Sequence, residues 1–422
     1  MTVADNTEIR SRRLDNGITL VFEQMPWLHS LSVAFLLPVG SVTDPADREG
    51  SATVLYDWLS RGAGDRNSRA FNDELDGLGV RRGGGAGRET TNLSASMLAR
   101  SLPASLPLLA DMLRRPRLQD EEFGSARELA QQELASLDDS PSQRLSELLA
   151  RRYFTSAHGR SLYGTEQGLA ALDPEAVRAD YRGRYAPEGM VIAAAGGVSW
   201  EELSSEVERA FADWRGAPPA VPEVATETPR RHHVEADTSQ VHIGLAYPGL
   251  PPQHDDWYRQ TLAMNVLSGG SGSRLFMEVR EKRGLAYSVH AYTRALRGYG
   301  YVLARAGTTP ERSDETLDVM LAEIGRLGSG VEANELERAR IGILSQLVMQ
   351  GESSGSRASA LANDMYLRGE GRSLARIKSA ISAIGLDDVN SFLALQSVPQ
   401  PTVVTLGPAS STTATTVAPT VA

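Results

Sequence analysis

One order of strand and helix signals occurs twice along this chain, once on each side of a proline-rich stretch, and that repetition limits the fold more than any single residue does. In the first half, residues 31–39 read as a strand, a helical stretch runs through Leu59, and residues 72–78 form a second helix ending at Gly79. Two hairpin-like segments, 80–88 and 89–99, precede a helix whose Leu102, Leu106, Leu109, Met112 and Leu113 share one face. In the second half, 241–247 is a strand, 257–267 a helix and 274–282 a helix stopped near Gly284. Strand-like runs at 286–295 and 299–307 follow. A helix that Ser313 is placed to cap then carries Leu317, Met320, Leu321, Ile324 and Leu327 on one face. The expected fold class is α+β: two homologous domains related by a pseudo-twofold, each an antiparallel-rich sheet with helices packed on it.

The dividing stretch, 216–229, is rich in Pro and poor in large apolar residues, so it is expected to run extended as a linker. It separates an N-terminal domain over 1–215 from a C-terminal domain over 230–407. Residues 408–422, a Ser/Thr/Ala/Pro tail without periodicity, are expected to be disordered.

At 422 residues and 41% hydrophobic, the chain exceeds what one core accommodates, in keeping with duplication. Its 53 Asp and Glu outnumber 43 Lys and Arg, and no basic run is interleaved with aromatics, which argues against nucleic acid and for protein or peptide partners. Cysteine is absent, excluding disulfides, thiolate zinc sites and a cysteine nucleophile together. No basic segment followed by an apolar one opens the chain, and no apolar run of about 18 residues occurs. The expectation is a cytoplasmic protein with no membrane partner.

Several motifs agree with one family. Leu14-Asp15-Asn16-Gly17-Ile18-Thr19-Leu20-Val21, then Pro38-Val39-Gly40-Ser41 and Asp44-Pro45, have the form of an opening strand, turn and second strand. Tyr185-Ala186-Pro187-Glu188-Gly189-Met190 begins another strand. The most specific is Leu267-Ser268-Gly269-Gly270-Ser271-Gly272-Ser273-Arg274-Leu275-Phe276, running into Val279-Arg280-Glu281-Lys282-Arg283-Gly284-Leu285-Ala286-Tyr287-Ser288. Over roughly residues 10 to 407 the chain resembles the pitrilysin, insulinase and mitochondrial-processing-peptidase family of inverted zinc peptidases. That resemblance implies a duplicated clamshell half.

The family's helical His-x-x-Glu-His carries two zinc ligands and the general base between them. Here the three positions are Thr53, Tyr56 and Asp57. A hydroxyl, a phenol that stays protonated near neutral pH and a lone carboxylate do not replace them. The family's third ligand, a glutamate about 75 residues later, corresponds to Glu133, which without imidazole partners reads first as an ordinary helix carboxylate. Asp57 and Glu133 together suit weak magnesium or calcium contact better than zinc, so no zinc is expected in this chain. Where catalytic members resemble Asn-Ala-Tyr-Thr at the substrate strand, this chain has Gly83-Gly84-Gly85-Ala86, a run that weakens a strand.

Arg280 and Tyr287 match the arginine and tyrosine with which the family's C-terminal half completes the active site, the tyrosine helping to polarise the scissile carbonyl. Taken singly they are a surface arginine and a strand aromatic; within Arg-Glu-Lys-Arg-Gly-Leu-Ala-Tyr they read as functional. The resemblance therefore implies a non-catalytic subunit of a heterodimeric zinc endopeptidase, with zinc in a homologous catalytic partner and Arg280 and Tyr287 contributed in trans. The alternatives are a structural paralogue, like the core subunits of the respiratory bc complex, and a peptide-binding homodimer without catalysis.

Other matches weigh less. Gly351-Glu352-Ser353-Ser354-Gly355 fits the serine-hydrolase elbow, but a helical pattern precedes it where a strand is required. Gly269, Gly270 and Gly272 lack the Lys-Ser/Thr of a phosphate loop and are expected to let a helix begin close to neighbouring backbone. His232 and His233 would point to opposite faces of a strand.

Overall fold

The computed structural model describes residues 8–397 and 400–408. Thirteen strands are β1 Ile9–Arg13, β2 Thr19–Gln24, β3 Ser30–Leu37, β4 Gly62–Ala63, β5 Arg66–Asn67, β6 Arg81–Ala86, β7 Thr91–Leu98, β8 Val191–Gly196, β9 Arg231–Glu235, β10 Val241–Gly249, β11 Ala286–Leu296, β12 Tyr299–Thr308 and β13 Thr402–Gly407. All but the β4–β5 ribbon fall into two sheets, ordered β1-β2-β8-β3-β7-β6 and β11-β12-β10-β13-β9. The sheets share one topology. In the first, β3 runs antiparallel to β7 and β8, β6 antiparallel to β7, and β2 parallel to β8. In the second, β10 stands to β12 and β13, β11 to β12, and β9 to β13 in the same senses. The α+β duplication read from the sequence is present.

The apolar run of β3 is buried along both faces, and its alternation divides it between two layers. Leu31, Val33, Phe35 and Leu37 enter the main core with Val54, Leu55 and Trp58 of the helix Ser51–Leu59. Ala34 and Leu36 instead meet Ala358, Leu361 and Ala362 of the helix Ser354–Arg368. Within that layer the Arg357 Nε donates to Glu23 Oε2 at 2.7 Å, both side chains being buried. In the second sheet β10 repeats the division. Val241, Ile243 and Leu245 enter one core, while Ala246 meets Leu145, Leu149 and Tyr153 of the helix Pro141–Tyr153. Gly244 packs closely there: a Cβ would lie 3.2 Å from the Leu149 side chain.

The covering helices lie in the opposite half of the chain from the sheets they cover. One compact unit is 1–136 with 160–223 and 350–374; the other is 137–159 with 224–349 and 375–422. Relative to the sequence division at 216–229, 137–159 and 350–374 have exchanged sides. Between 216 and 229 the chain forms no helix or strand beyond a single bridge of Thr226 to Phe154. Of the tail 408–422, only Pro408 is among the described residues.

Two local expectations change. Ser313 does not cap its helix. It is the first residue of Ser313–Arg326, and its hydroxyl donates to Pro310 O at 3.0 Å, because a 3-10 turn at Pro310–Arg312 leads directly in. The segment 274–282 is helical but winds as a π-helix over Phe276–Glu281. Among the described residues, no helix is long and apolar enough to cross a membrane.

Candidate functional site

In the first unit the site is built on the helix Ser51–Leu59. Gly50, at φ 105°, turns the chain into it, and Asp44 secures its first turn: the backbone N–H of Gly50 and of Ala52 each donate to an Asp44 carboxylate oxygen at 2.9 Å. Behind Asp44, Arg184 donates to Asp44 Oδ1 at 2.7 Å and to Ser51 Oγ at 2.8 Å, and Ser51 donates to Asp180 Oδ2 at 2.5 Å. All four side chains are buried. Sequence analysis noted Asp44-Pro45 without seeing this support; an Asp just ahead of a helix was the available signal.

With Val54, Leu55, Trp58 and Leu59 committed to the core, the opposite face presents Thr53, Tyr56 and Asp57, spaced i, i+3, i+4. These three line a cavity of about 310 Å³ together with Glu133, from the helix Asp120–Ala135, and Gly84–Ala86 of β6. The four positions singled out from the sequence are thus gathered at one place.

Two of the four are already committed. The Thr53 hydroxyl donates to Leu162 O at 2.8 Å, and Asp57 Oδ2 accepts from Arg61 Nε at 2.6 Å, with Arg61 reaching Glu122 at 3.3 Å. Burial, with Asp57 adding to it against the opposing charge of Arg82, pushes the Tyr56 phenol up to about 12. Glu133 has no ion pair among the described residues, and burial first, then the charge of Asp57, raise its carboxyl above the usual range. Zinc does not fit this set: the hydroxyl is a poor ligand, the phenol holds its proton, and one of two carboxylates is neutralised by a guanidinium. No group of three or more His, Asp or Glu suited to a metal occurs among the described residues.

The glycine run is nonetheless an ordered strand. β6 pairs with β7 from Arg81↔Ser96 to Ala86↔Thr91 and is the edge of its sheet. Gly84 has φ +148°, and a Cβ there would stand 2.0 Å from Asn92 O and 2.5 Å from the Tyr56 hydroxyl. The tyrosine and the glycine fit one another, a coupling that separate reading of the two motifs misses.

The second unit holds Arg280 and Tyr287. Arg280 leaves the π-helical turn, and the chain reverses at Gly284, whose φ is +59° and whose N–H donates to Arg280 O at 3.0 Å. The reversal brings the Arg280 guanidinium 4.8 Å from the centroid of Tyr287 and 4.8 Å from that of Phe276. Tyr287 stands on a register shift of the edge strand β11, between Ala286↔Thr308 and Ser288↔Gly307, and is 81% exposed.

The lesser motifs become structural. Ser353 caps the helix Ser354–Arg368 by accepting from Ser356 N at 3.2 Å, and a helix, Ala333–Gly351, precedes it, so there is no nucleophile elbow. Gly269 ends a helix, contrary to the expected role of starting one: its N–H donates to Asn265 O at 2.6 Å. His233 pairs with Thr405 Oγ1 at 2.8 Å across β9 and β13.

Two family models match. That described as "Insulinase (Peptidase family M16)" covers residues 19–166 and that described as "Peptidase M16 inactive domain" covers 171–343. An uncharacterized zinc protease of Mycobacterium bovis is 30% identical over 394 residues, 90% of this chain and 89% of its own length. The uncharacterized zinc protease YmxG of Bacillus subtilis is 27% identical over 392 residues, 91% and 94% of the two chains. Among solved structures, a peptidase M16 inactive domain from Pseudomonas fluorescens superposes with a TM-score of 0.87 at 21% identity, covering 95% of this chain and 98% of that one. A protease from Helicobacter pylori gives 0.84 at 19%, covering 96% and 100%.

Proposed function

The chain belongs to the insulinase family, peptidase family M16, and from that premise we propose that it is the non-catalytic subunit of a two-chain zinc endopeptidase. A homologous partner supplies His-x-x-Glu-His, the third glutamate and the zinc; this chain supplies Arg280, Tyr287 and part of the peptide chamber. The observation that carries the reading is the contrast between the two sites. At the first, Thr53 and Asp57 are hydrogen-bonded within the chain, Tyr56 holds its proton, and Glu133 is left as a single carboxylate, which is no ligand set for zinc. At the second, Tyr287 remains exposed and oriented by Arg280.

A phenol held in this way supplies one neutral hydrogen-bond donor to an oxyanion as it forms, at no reorganisation cost during the reaction. Stacked on the ring, the guanidinium fixes the ring plane, or supports substrate backbone as a five-donor fork. The relatives' description as zinc proteases agrees with zinc in the partner.

The experiment is co-expression with a His-x-x-Glu-His homologue, followed by cleavage assays of a quenched peptide on each chain alone and on the mixture. Activity confined to the mixture, or much greater there, supports the proposal. Equal activity of the partner alone rejects it. A second reading, peptide binding without catalysis, is favoured by the open edge strand β6 beside the 310 Å³ cavity, and predicts saturable peptide binding by this chain alone.

A further inference from the structure

The second unit contains a cavity unrelated to Arg280 and Tyr287, between β10, the helix Trp257–Ser268 and the helix Leu386–Ala394. Its volume is about 110 Å³. Ala263, Met264, Val302, Ile324, Phe392 and Leu393 are among its apolar lining residues, and no Asp, Glu, Lys, Arg or His contributes to it.

One polar group in that lining is unfinished. Gln260, 9% exposed, accepts from Leu250 N through Oε1 at 2.8 Å. That bond fixes which end of the amide is oxygen, so Nε2 with its two N–H donors is the remaining arm. Nε2 is buried and has no hydrogen-bond partner. Native interiors rarely leave such a donor unmet. Tyr247 lines the same space, and burial alone pushes its phenol up, so it too stays neutral.

We propose that this cavity is a binding site for a small neutral ligand, a branched apolar group carrying one carbonyl that accepts from Gln260 Nε2. A charged ligand would lose its hydration and meet no counter-ion. The space is smaller than the roughly 150 Å³ engineered cavity that takes benzene, so it holds the branched aliphatic group and the rest of the ligand extends from its open side. The same chemistry is offered by a free small amide and by an aliphatic residue of a peptide with its own backbone carbonyl.

The test uses the full chain. Crystals are soaked separately with isovaleramide and with N-acetyl-leucine amide, and affinities are read by ligand-observed saturation-transfer NMR, with isovalerate as the charged control. The expected result is an amide seated with its carbonyl on Gln260 Nε2 and isovalerate bound at least about tenfold more weakly. Tighter binding of N-acetyl-leucine amide assigns a peptide residue; tighter binding of isovaleramide assigns a free amide. Gln260→Leu removes the Nε2 donor with the rest of the amide and should weaken either amide at least about tenfold. Gly328→Leu adds an apolar side chain at a lining position where a Cβ meets nothing within 4 Å, and should weaken binding. No saturable binding of either amide, ordered water alone in the cavity, or affinities unchanged in both variants would overturn the proposal.

Discussion

Tyr287 is oriented by stacking and not by hydrogen bonding: the Arg280 guanidinium lies 4.8 Å from its ring centroid, while its hydroxyl has no partner among the described residues. The phenol therefore keeps its donor free. In the reconstituted pair, Tyr287→Phe should lower turnover of a quenched peptide about a hundredfold to a thousandfold, the usual loss for one oxyanion donor, or roughly 2.7–4 kcal/mol. Arg280→Lys keeps the charge but loses the planar face and should also cost activity. Neither change should prevent association measured by sizing. Full activity in both would move the assignment to a structural paralogue.

The second prediction concerns metal. Purified chain should hold no stoichiometric zinc by elemental analysis, because Thr53 and Asp57 are engaged and Tyr56 keeps its proton. The triple change Thr53→His, Tyr56→Glu, Asp57→His should bind about one zinc per chain, since Glu133 lines the same cavity. One tightly bound zinc in the unaltered protein would contradict the first statement, and a metal-free triple variant the second.

Glu133 gives a pH signature. Burial and Asp57 raise its carboxyl, so the folded chain holds that proton more tightly than the unfolded one, and charge on Glu133 opposes folding. The cost is absent below the ordinary glutamate range and fully present above the raised folded value. Glu133→Gln should therefore stabilise the protein slightly at neutral pH, with the gain fading as pH falls toward about 4, in urea titrations at several pH values. An NMR titration should find Glu133 nearer its ordinary value in Asp57→Asn.

Support of the first helix is testable by stability. Asp44→Ala takes the nearer carboxylate from the buried Arg184, leaving Asp180 at 3.6 Å, and strips two backbone N–H groups of their acceptor, which should cost roughly 3 kcal/mol by chemical denaturation. Thr53→Val removes one hydrogen bond to Leu162 O and should cost about 1 kcal/mol. Similar small losses in both would show that the Asp44 network bears little of the fold.

Much of this was legible in advance, for physical reasons. The paired strand and helix signals follow periodicity, which is local, and the two halves do carry sheets with matching strand senses. Glu133 was found by its distance along the chain from Asp57 and does line the cavity. What the sequence concealed is tertiary. The continuous apolar run of β3 announces burial on both faces but not that residues 354–368 supply the second cover. Likewise, the fit of Tyr56 to Gly84 exists only once a helix and an edge strand meet. The capping role expected of Ser313 failed because a preceding 3-10 turn moved the helix start by one residue.

The exchanged helices have a consequence for biosynthesis. A chain leaving the ribosome completes β1 to β8 by residue 196, yet the helix that dries the outer layer of β3 and β8 is not made until residue 368. At translation speeds of about 5–20 residues per second, that apolar face is exposed for roughly 10–30 s, long compared with the collapse of either half. The first unit cannot finish vectorially. Truncation after the first half should yield an aggregation-prone, chaperone-retained species, and supplying residues 350–374 in trans should rescue its solubility.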